Sequence, residues 1–288
     1  MDLRSISDRL EWEEGVWVSK GKAAVSYPEE GHEGCFQLEE NSFWYRHRGN
    51  CIIEAINQYP PRGAIFDVGG GNGVVAKAIE EKGYETVLVE PGETGAGNAQ
   101  KRGLTHIVRS TLEEAGFRAG TLPAVGLFDV LEHIRDRRDF LETVYRLLEP
   151  GGKLYITVPA LGSLWSAEDD FAGHFKRFTV KTISKELKDL GFHVEYATYM
   201  FSFLPPAIFL SRSLPYRLGW AKKDDWRKRY RNEHTPPNTF LAKLLEKACN
   251  VELKRIRRRK PIPWGSSCLV VAAHPGADRQ VLRGSKIS

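Results

Sequence analysis

The apolar positions of this chain follow two rhythms. Short apolar runs at 64–66, 86–89 and 124–129 read as strands buried on both faces. Between them, apolar residues recur every three or four positions, the spacing of a helix packed on a sheet. Val74, Val75, Ala78 and Ile79 follow the first run, and a helix over 93–102 follows the second. Phe140, Leu141, Val144, Leu147 and Leu148 mark a helix over 138–148; Ile183, Leu187 and Leu190 mark one over 179–190. Glu149-Pro150-Gly151-Gly152 and Gly191 are the stops. Further strands are expected at 105–109, 153–158, 192–199 and 266–273. Trp44, Cys51, Ile52, Ala55, Ile56 and Tyr59 place a helix over 39–59, ended by Pro60-Pro61. Strand and helix alternate throughout, which predicts an α/β fold with a doubly wound, mostly parallel sheet of seven strands.

The stretch around the first strand carries the chemistry. Its run ends in Asp67, and Gly69, Gly71 and Gly73 follow at alternate positions before a helix. Strand, glycine turn and helix form the nucleotide-binding unit of such folds. A dinucleotide site needs a third glycine where this chain has Val74, and a carboxylate at Asp67 would repel phosphates. An acid there suits a ligand carrying a cation. The second strand also ends in an acid, Glu90, followed by Pro91; an acid in that place suits vicinal ribose hydroxyls.

These residues resemble the class I S-adenosylmethionine-dependent methyltransferases. Asp67-Val68-Gly69-Gly70-Gly71-Asn72-Gly73 is similar to the family's D-x-G-x-G-x-G motif, and Glu90 to its second-strand acid. Glu39-Glu40-Asn41-Ser42-Phe43-Trp44-Tyr45-Arg46-His47-Arg48 matches the E-E-x-x-F-W-x-x-x-R helix of a broad bacterial group. Asp129-Val130-Leu131-Glu132-His133 resembles D-x-L-E-H, and the run from Leu148 to Pro159 resembles another landmark. The resemblance covers roughly 36–200 and 266–274. It implies S-adenosylmethionine as cofactor and a last strand antiparallel to the rest. It also implies that the 39–59 helix covers the cofactor's methionine end, with Trp44 beside it and Arg48 meeting its carboxylate. Ser110, Thr111 and Leu112 fall where the family contacts the adenine edge, although Ser110 replaces a frequent acid.

In open α/β sheets, ligands bind at the carboxyl ends of strands near the reversal of strand order. Asp129 to His133 should therefore line the transfer site, with His133 near the reacting methyl. The segment Leu164 to Phe178 lies at the same rim and is similar to the bacterial group's W-S-x-x-D-x-x-x-G-H-x-x-R-[FY] pattern. Trp165, Phe171, Phe175 and Phe178 offer an apolar wall; Asp169, Asp170, His174 and Arg177 offer polar anchors. His174 is the first choice as general base or orienting group, with His133 and Asp170 beside it. The alternative is that Asp170 and His174 pair to fix the loop. These bases favour a small-molecule acceptor methylated at oxygen rather than nitrogen. Asp169 and Asp170 have no convincingly spaced third ligand, so no metal is expected.

Composition changes the picture at few points. The four cysteines include no C-x-x-C pair, which argues against a zinc site or disulfide framework and for a cytoplasmic protein. No apolar run is long enough to span a membrane. The net charge of +5 is concentrated in 201–263, which reads as an inserted cap. There Arg217, Lys222, Lys223, Arg227, Lys228, Arg229 and Arg231 interleave with Trp220, Trp226 and Tyr230. A helix over 240–251 and a second basic run, 254–260, follow. The cap reads first as a solvated lid. Peripheral membrane contact and binding of a phosphate-bearing acceptor are its alternatives, and nucleic acid is not an expected partner. Residues 1–60 comprise an N-terminal extension, expected either to pack over the catalytic face or to form a partly ordered tail, and the covering helix. The core is 61–200 with 264–275, and 276–288 reads as a disordered tail. Nothing in the sequence sets an oligomeric state. Two rivals remain: a nicotinamide-dependent oxidoreductase, disfavoured by Val74 and Asp67, and a non-catalytic cofactor-binding regulator.

Overall fold

Residue parity along the central strand sets the two cores. In β3 (Ile65–Val68), Ile65 points to one face, and Phe66 and Val68 point to the other. All four residues of this strand are buried, as a strand covered on both sides requires. The last strand, β9 (Ser267–Ala273), divides in the same way: Leu269 and Val271 on one face, Cys268, Val270 and Ala272 on the other.

The computed structural model describes residues 2–19, 36, 39, 42–220 and 239–276. Helix α1 (Phe43–Gln58) starts at Ser42, whose side chain caps the Trp44 N–H. After β3 come α2 (Val74–Glu80), β4 (Thr86–Val89), α3 (Glu93–Lys101), β5 (Ile107–Arg109) and β6 (Leu122–Phe128). Helix α4 (Arg137–Leu147), β7 (Leu148–Pro159), α5 (Ala167–Phe171), α6 (Val180–Asp189) and β8 (His193–Met200) follow. Two short helices, α7 (Pro205–Ile208) and α8 (Leu214–Arg217), flank a π turn, and α9 (Thr239–Arg257) precedes β9.

The expected seven strands are present in the order β5-β4-β3-β6-β7-β9-β8, with β9 antiparallel between β7 and β8. A hairpin that the sequence pattern did not suggest, β1 (Leu10–Glu13) and β2 (Val16–Ser19), extends the sheet to nine strands by pairing parallel with β5. This corrects the reading of the N-terminal extension. Its described part does not lie over the catalytic face. It forms the sheet edge, with Leu3, Ile6 and Leu10 buried in the same core as Phe117. The hairpin escaped notice because β1 reads Leu-Glu-Trp-Glu, buried only at its first residue.

The β7 strand begins earlier than expected, and the Pro150-Gly151-Gly152 stop lies within it rather than before it. Helix α9 runs to Arg257 and so absorbs the start of the second basic run. That run is partly tied down: Ile256 is buried, Arg257 pairs with Glu54 at 3.0 Å, and Arg259 donates to the Gln58 carbonyl. Lys222 to Arg231, Tyr27 and the tail beyond Gly276 lie outside the described residues.

Two glycines should respond oppositely to a single added methyl. A Cβ at Gly265 would sit 2.1 Å from the Met200 carbonyl oxygen, where β8 meets the approach to β9. Gly265→Ala should destabilise by about 1–3 kcal/mol, the range of overpacking. Gly97, inside α3, has open space at its Cβ position. Gly97→Ala should stabilise by about 0.5–1 kcal/mol through helix propensity. Paired urea unfolding curves check both signs.

Candidate active site

Strands β3, β4 and β6 are parallel, so their carboxyl ends open on one side of the sheet. A cavity of about 430 Å³ lies there. At its floor is Asp67, fully buried at the tip of β3. Neither of its carboxylate oxygens makes a close, well-aligned hydrogen bond among the described residues, and the Ala76 N–H in α2 is only a weak donor to it. Burial pushes its pKa up to about 7; Arg48 pulls downward, Glu90 pushes upward, and the Ala76 N–H pulls down least.

The glycine loop is shaped around that carboxylate. Gly69, Gly71 and Gly73 all hold positive φ, at 69°, 56° and 74°, which side chains rarely adopt. Gly70 is required for space: a Cβ there would lie 2.6 Å from Asp67 Oδ2 and 2.4 Å from Leu88 Cδ1. Gly69 and Gly71 line the cavity. Gly73, also expected at the ligand, instead caps α2 and packs on Leu104, which a Cβ would meet at 2.5 Å. It is a packing glycine because the loop has already turned away from the cavity.

Glu90 lies at the tip of β4 and is held by the main chain. Its Oε2 accepts from the Gly71 N–H at 2.9 Å and its Oε1 from the Gly92 N–H at 2.8 Å. Burial raises its pKa while both N–H groups oppose the shift. Pro91 lines the cavity beside it, as do Ser110, Thr111 and Leu112 across the mouth. The Ser110 hydroxyl is already engaged, 2.7 Å from Ser19 Oγ and 2.9 Å from the Thr111 carbonyl. The edge hairpin thus reaches the rim of the site through Ser19.

On the opposite side, α1 contributes Trp44 and Arg48. The Arg48 guanidinium sits 5.1 Å from the Trp44 ring centre, with Nε 2.9 Å from Asp129 Oδ2, and it donates to the Phe128 carbonyl at 2.9 Å. Asp129 holds φ +59° and also accepts from Thr157 Oγ1 at 3.0 Å. Arg48 thus already holds partners within the protein, and it also lines the cavity, on the side where the resemblance implies the cofactor carboxylate. Val130 lines the wall next to Asp129.

A buried network behind the loop was not read from the sequence. The Asn72 side chain donates to Glu39 and accepts from Asn98, while the main-chain carbonyl of Asn72 accepts from Arg102 Nε at 3.0 Å; Arg102 also pairs with Glu39. Glu39 lines the cavity. The E-E-x-x-F-W pattern contained it, but its partner Arg102 lies 63 residues away.

Among the candidate catalytic residues, His133 lines the cavity and His174 sits behind it, their ring centres 4.7 Å apart. Burial, then the neighbouring His174, pushes the His133 pKa down to about 4. The partner of His174 is Asp169, not Asp170: Nδ1 lies 2.9 Å from Asp169 Oδ1. Arg177 grips the same carboxylate with Nε at 2.8 Å and Nη2 at 3.0 Å, and Ser166 completes it. Burial alone would raise the Asp169 carboxyl, but His174 and Arg177 hold it below its ordinary value. Asp170 is exposed and accepts from Trp165 Nε1 and Tyr216 Oη, away from the cavity. Glu132, His133 and His174 each bring one donor atom within 4.8 Å of the others. No such grouping was expected, because two distant segments supply it. Burial, with Asp129 beside it, pushes the Glu132 carboxyl well up.

Comparison with known proteins places this geometry. Residues 45–197 match a family model described as a methyltransferase domain. The chain is 25% identical over 183 residues to a ubiquinone biosynthesis O-methyltransferase of Methylocella silvestris, covering 60% of this chain and 56% of that protein. Its counterpart from Caulobacter vibrioides is 29% identical over 98 residues, 32% of this chain and 39% of the other. The chain thus spans about half of the length of these relatives, or less. Its fold is similar to that of a Haemonchus contortus phosphoethanolamine N-methyltransferase solved with S-adenosyl-L-methionine. There the TM-score is 0.53 at 17% identity, over 90% of this chain and 62% of the other. A Thermotoga maritima S-adenosylmethionine-dependent methyltransferase gives a TM-score of 0.52 at 15% identity, over 85% and 95%. With more than half of its length matched by the family model and its fold similar to these structures, the chain belongs to the methyltransferase domain family and has the fold of the class I S-adenosylmethionine-dependent enzymes.

Proposed function

We propose that the protein transfers a methyl group from S-adenosylmethionine to a hydroxyl of a small, largely apolar acceptor. The observation that carries this reading is Asp67: a buried carboxylate without a close hydrogen bond, in the lining of a cavity, is a place prepared for a cation. When bound, the cofactor supplies an electrophilic methyl on a positively charged sulfur.

The residues present fit that group. Asp67 faces its cationic end, and Glu90, oriented by the Gly71 and Gly92 N–H groups, keeps lone pairs for two ribose hydroxyls. Trp44 covers the methionine end, while Arg48 acts indirectly by holding Asp129 in its left-handed conformation. Thr111 and Leu112 flank the adenine side, where the engaged Ser110 hydroxyl serves as a fixed wall.

The acceptor side is formed by His133, Ile134, Val130 and Phe140. An acceptor hydroxyl must lose its proton as the new bond forms, and a neutral imidazole takes it. His133 lines the cavity and is neutral at pH 7 because burial and His174 depress its pKa. It replaces His174 as the preferred base. His174, fixed by Asp169 and Arg177, orients the His133 ring and keeps it unprotonated. The O-methyltransferases among the relatives support oxygen as the site of transfer.

A second reading concerns how the acceptor arrives. Leu210, Leu218 and Trp220 are 64%, 48% and 72% exposed, with Arg217 among them. Apolar side chains beside basic ones favour a lipid surface, from which an apolar acceptor would be drawn. No described helix is long and apolar enough to cross a membrane.

The expected outcomes concern Asp67, the two histidines and the lipid surface. Affinity for S-adenosylmethionine should rise as pH increases through about 7, because a cation binds ionised Asp67 and the protonated form must first release its proton. Asp67→Asn should flatten that profile and weaken binding by about 2 kcal/mol, roughly thirtyfold. Calorimetric titration at pH 6.0 and 7.5 reads both; a wild-type affinity independent of pH would contradict the role of Asp67. His133→Ala should lower turnover by about 10²–10⁴ with cofactor affinity retained. His174→Asn should move the acid limb of the rate profile upward, since one of the groups depressing His133 is gone. Release of S-adenosylhomocysteine with a panel of catechols and primary amines is the assay, and turnover with amines alone would overturn oxygen as the acceptor atom. Anionic liposomes should retain the protein in sedimentation, and Trp220→Ser should reduce that retention.

A further inference from the structure

One buried carboxylate connects the described cap helix to the cavity. Glu252 on α9 is 3% exposed. Its Oε2 accepts from the Phe201 N–H at 2.9 Å and lies 2.9 Å from His47 Nε2. Its Oε1 accepts from both the N–H and the hydroxyl of Ser202, each at 2.6 Å. All four contacts come from outside α9: three from the corner that leaves β8 and one from α1.

Hydrophobic packing already joins α9 to α1. Ile256 and Leu253 share a core with Ile52 and Ile56. Docking alone would not need a buried acid, whose desolvation is costly unless its lone pairs are filled. The position of Phe201 indicates what the acid does. Phe201 holds φ +56°, a conformation that bulky residues rarely adopt. The Glu252 carboxylate takes its N–H and that of the next residue, which fixes this corner. In that conformation the Phe201 ring stacks on Trp44, with centres 5.6 Å apart and planes 5° from parallel. Trp44 in turn lies against the Arg48 guanidinium at 5.1 Å, and Arg48 reaches Asp129. Trp44, Arg48 and Asp129 line the cavity; Glu252 does not. Burial alone would raise the Glu252 carboxyl, but the His47 and Ser202 hydrogen bonds hold it below its ordinary value, so the acceptor stays charged.

We infer that Glu252 is a positioning residue of the methyl-transfer site, setting Trp44 and Arg48 through the Phe201 corner, so that the cap helix and the cofactor-facing end of α1 form one coupled unit. This rests on the cofactor assignment proposed above. The four donors constrain the corner, the corner sets the ring, and the ring sets the wall against which the ligand is held. A change in the cap is then felt as a change in cofactor affinity, without contact between the two.

The test is a double-mutant cycle on the full chain, read by calorimetric titration with S-adenosylmethionine. Glu252→Gln keeps the shape and removes the charge; Trp44→Phe shortens the stacked ring. Each should weaken binding about tenfold, a usual coupling for contacting residues in one network. The double variant should lose little more than either single one. Leu244→Ala, on the exposed side of α9, should leave affinity unchanged. Thermal unfolding of each ligand-free variant separates positioning from folding: a purely structural acid would lower the midpoint without lowering affinity. Should Glu252→Gln not fold, Ser202→Ala removes one donor and enters the same cycle, with a smaller loss. Wild-type affinity in Glu252→Gln, or losses that multiply in the double variant, would overturn the coupling. Absence of binding by the wild type would overturn the cofactor assignment and the coupling with it.

Discussion

A carboxylate removed from water with no more than a weak hydrogen bond is among the most costly groups a fold can bury, and Asp67 is that group here. The surrounding loop follows from keeping it in place. Gly70 has no side chain because Asp67 Oδ2 occupies the space. Gly69 and Gly71 take positive φ so that the chain can pass around the carboxylate and present the Gly71 N–H to Glu90. The pKa of about 7 expresses the same cost as a proton equilibrium, one that a bound cation would shift toward the ionised form. A site that strains its own ground state in this way is stabilised by its ligand.

On the opposite wall, two charged groups find partners inside the protein. Arg48 is shared between Asp129, the Phe128 carbonyl and the Trp44 ring. Asp169 is filled by His174, Arg177 and Ser166. Groups held in this way stiffen the wall they belong to. The contrast between a starved carboxylate and filled ones separates the group prepared to meet a ligand from the groups that support it. It also separates His133, which faces the cavity, from His174, which stands behind it.

Much of this could be read from the sequence, for physical reasons that differ by element. The β3 strand, its glycines and Asp67 are local, and their spacing argues against a dinucleotide. Glu90 was legible because a strand tip is local too. The hairpin at 10–19 was not, because an edge strand buries little and leaves little apolar pattern. The partner of His174 was misassigned because Asp169 and Asp170 are adjacent, and only the turn of a short helix decides which one faces inward. Arg102 and Glu252 were invisible as site residues, since their partners, Glu39 and His47, lie far away in the chain. Gly73 sat in the motif, yet its role is packing on Leu104, a contact that spacing cannot reveal.

The central claim is that a cation-bearing nucleoside, rather than a dinucleotide, occupies the cavity over Asp67. Calorimetric titration of the purified protein with S-adenosylmethionine, S-adenosylhomocysteine and NADH tests it most directly. The account predicts binding of both sulfur compounds, with Kd values on the order of micromolar, about −8 kcal/mol, and no heat with NADH. Binding of NADH with none of the other two would contradict it.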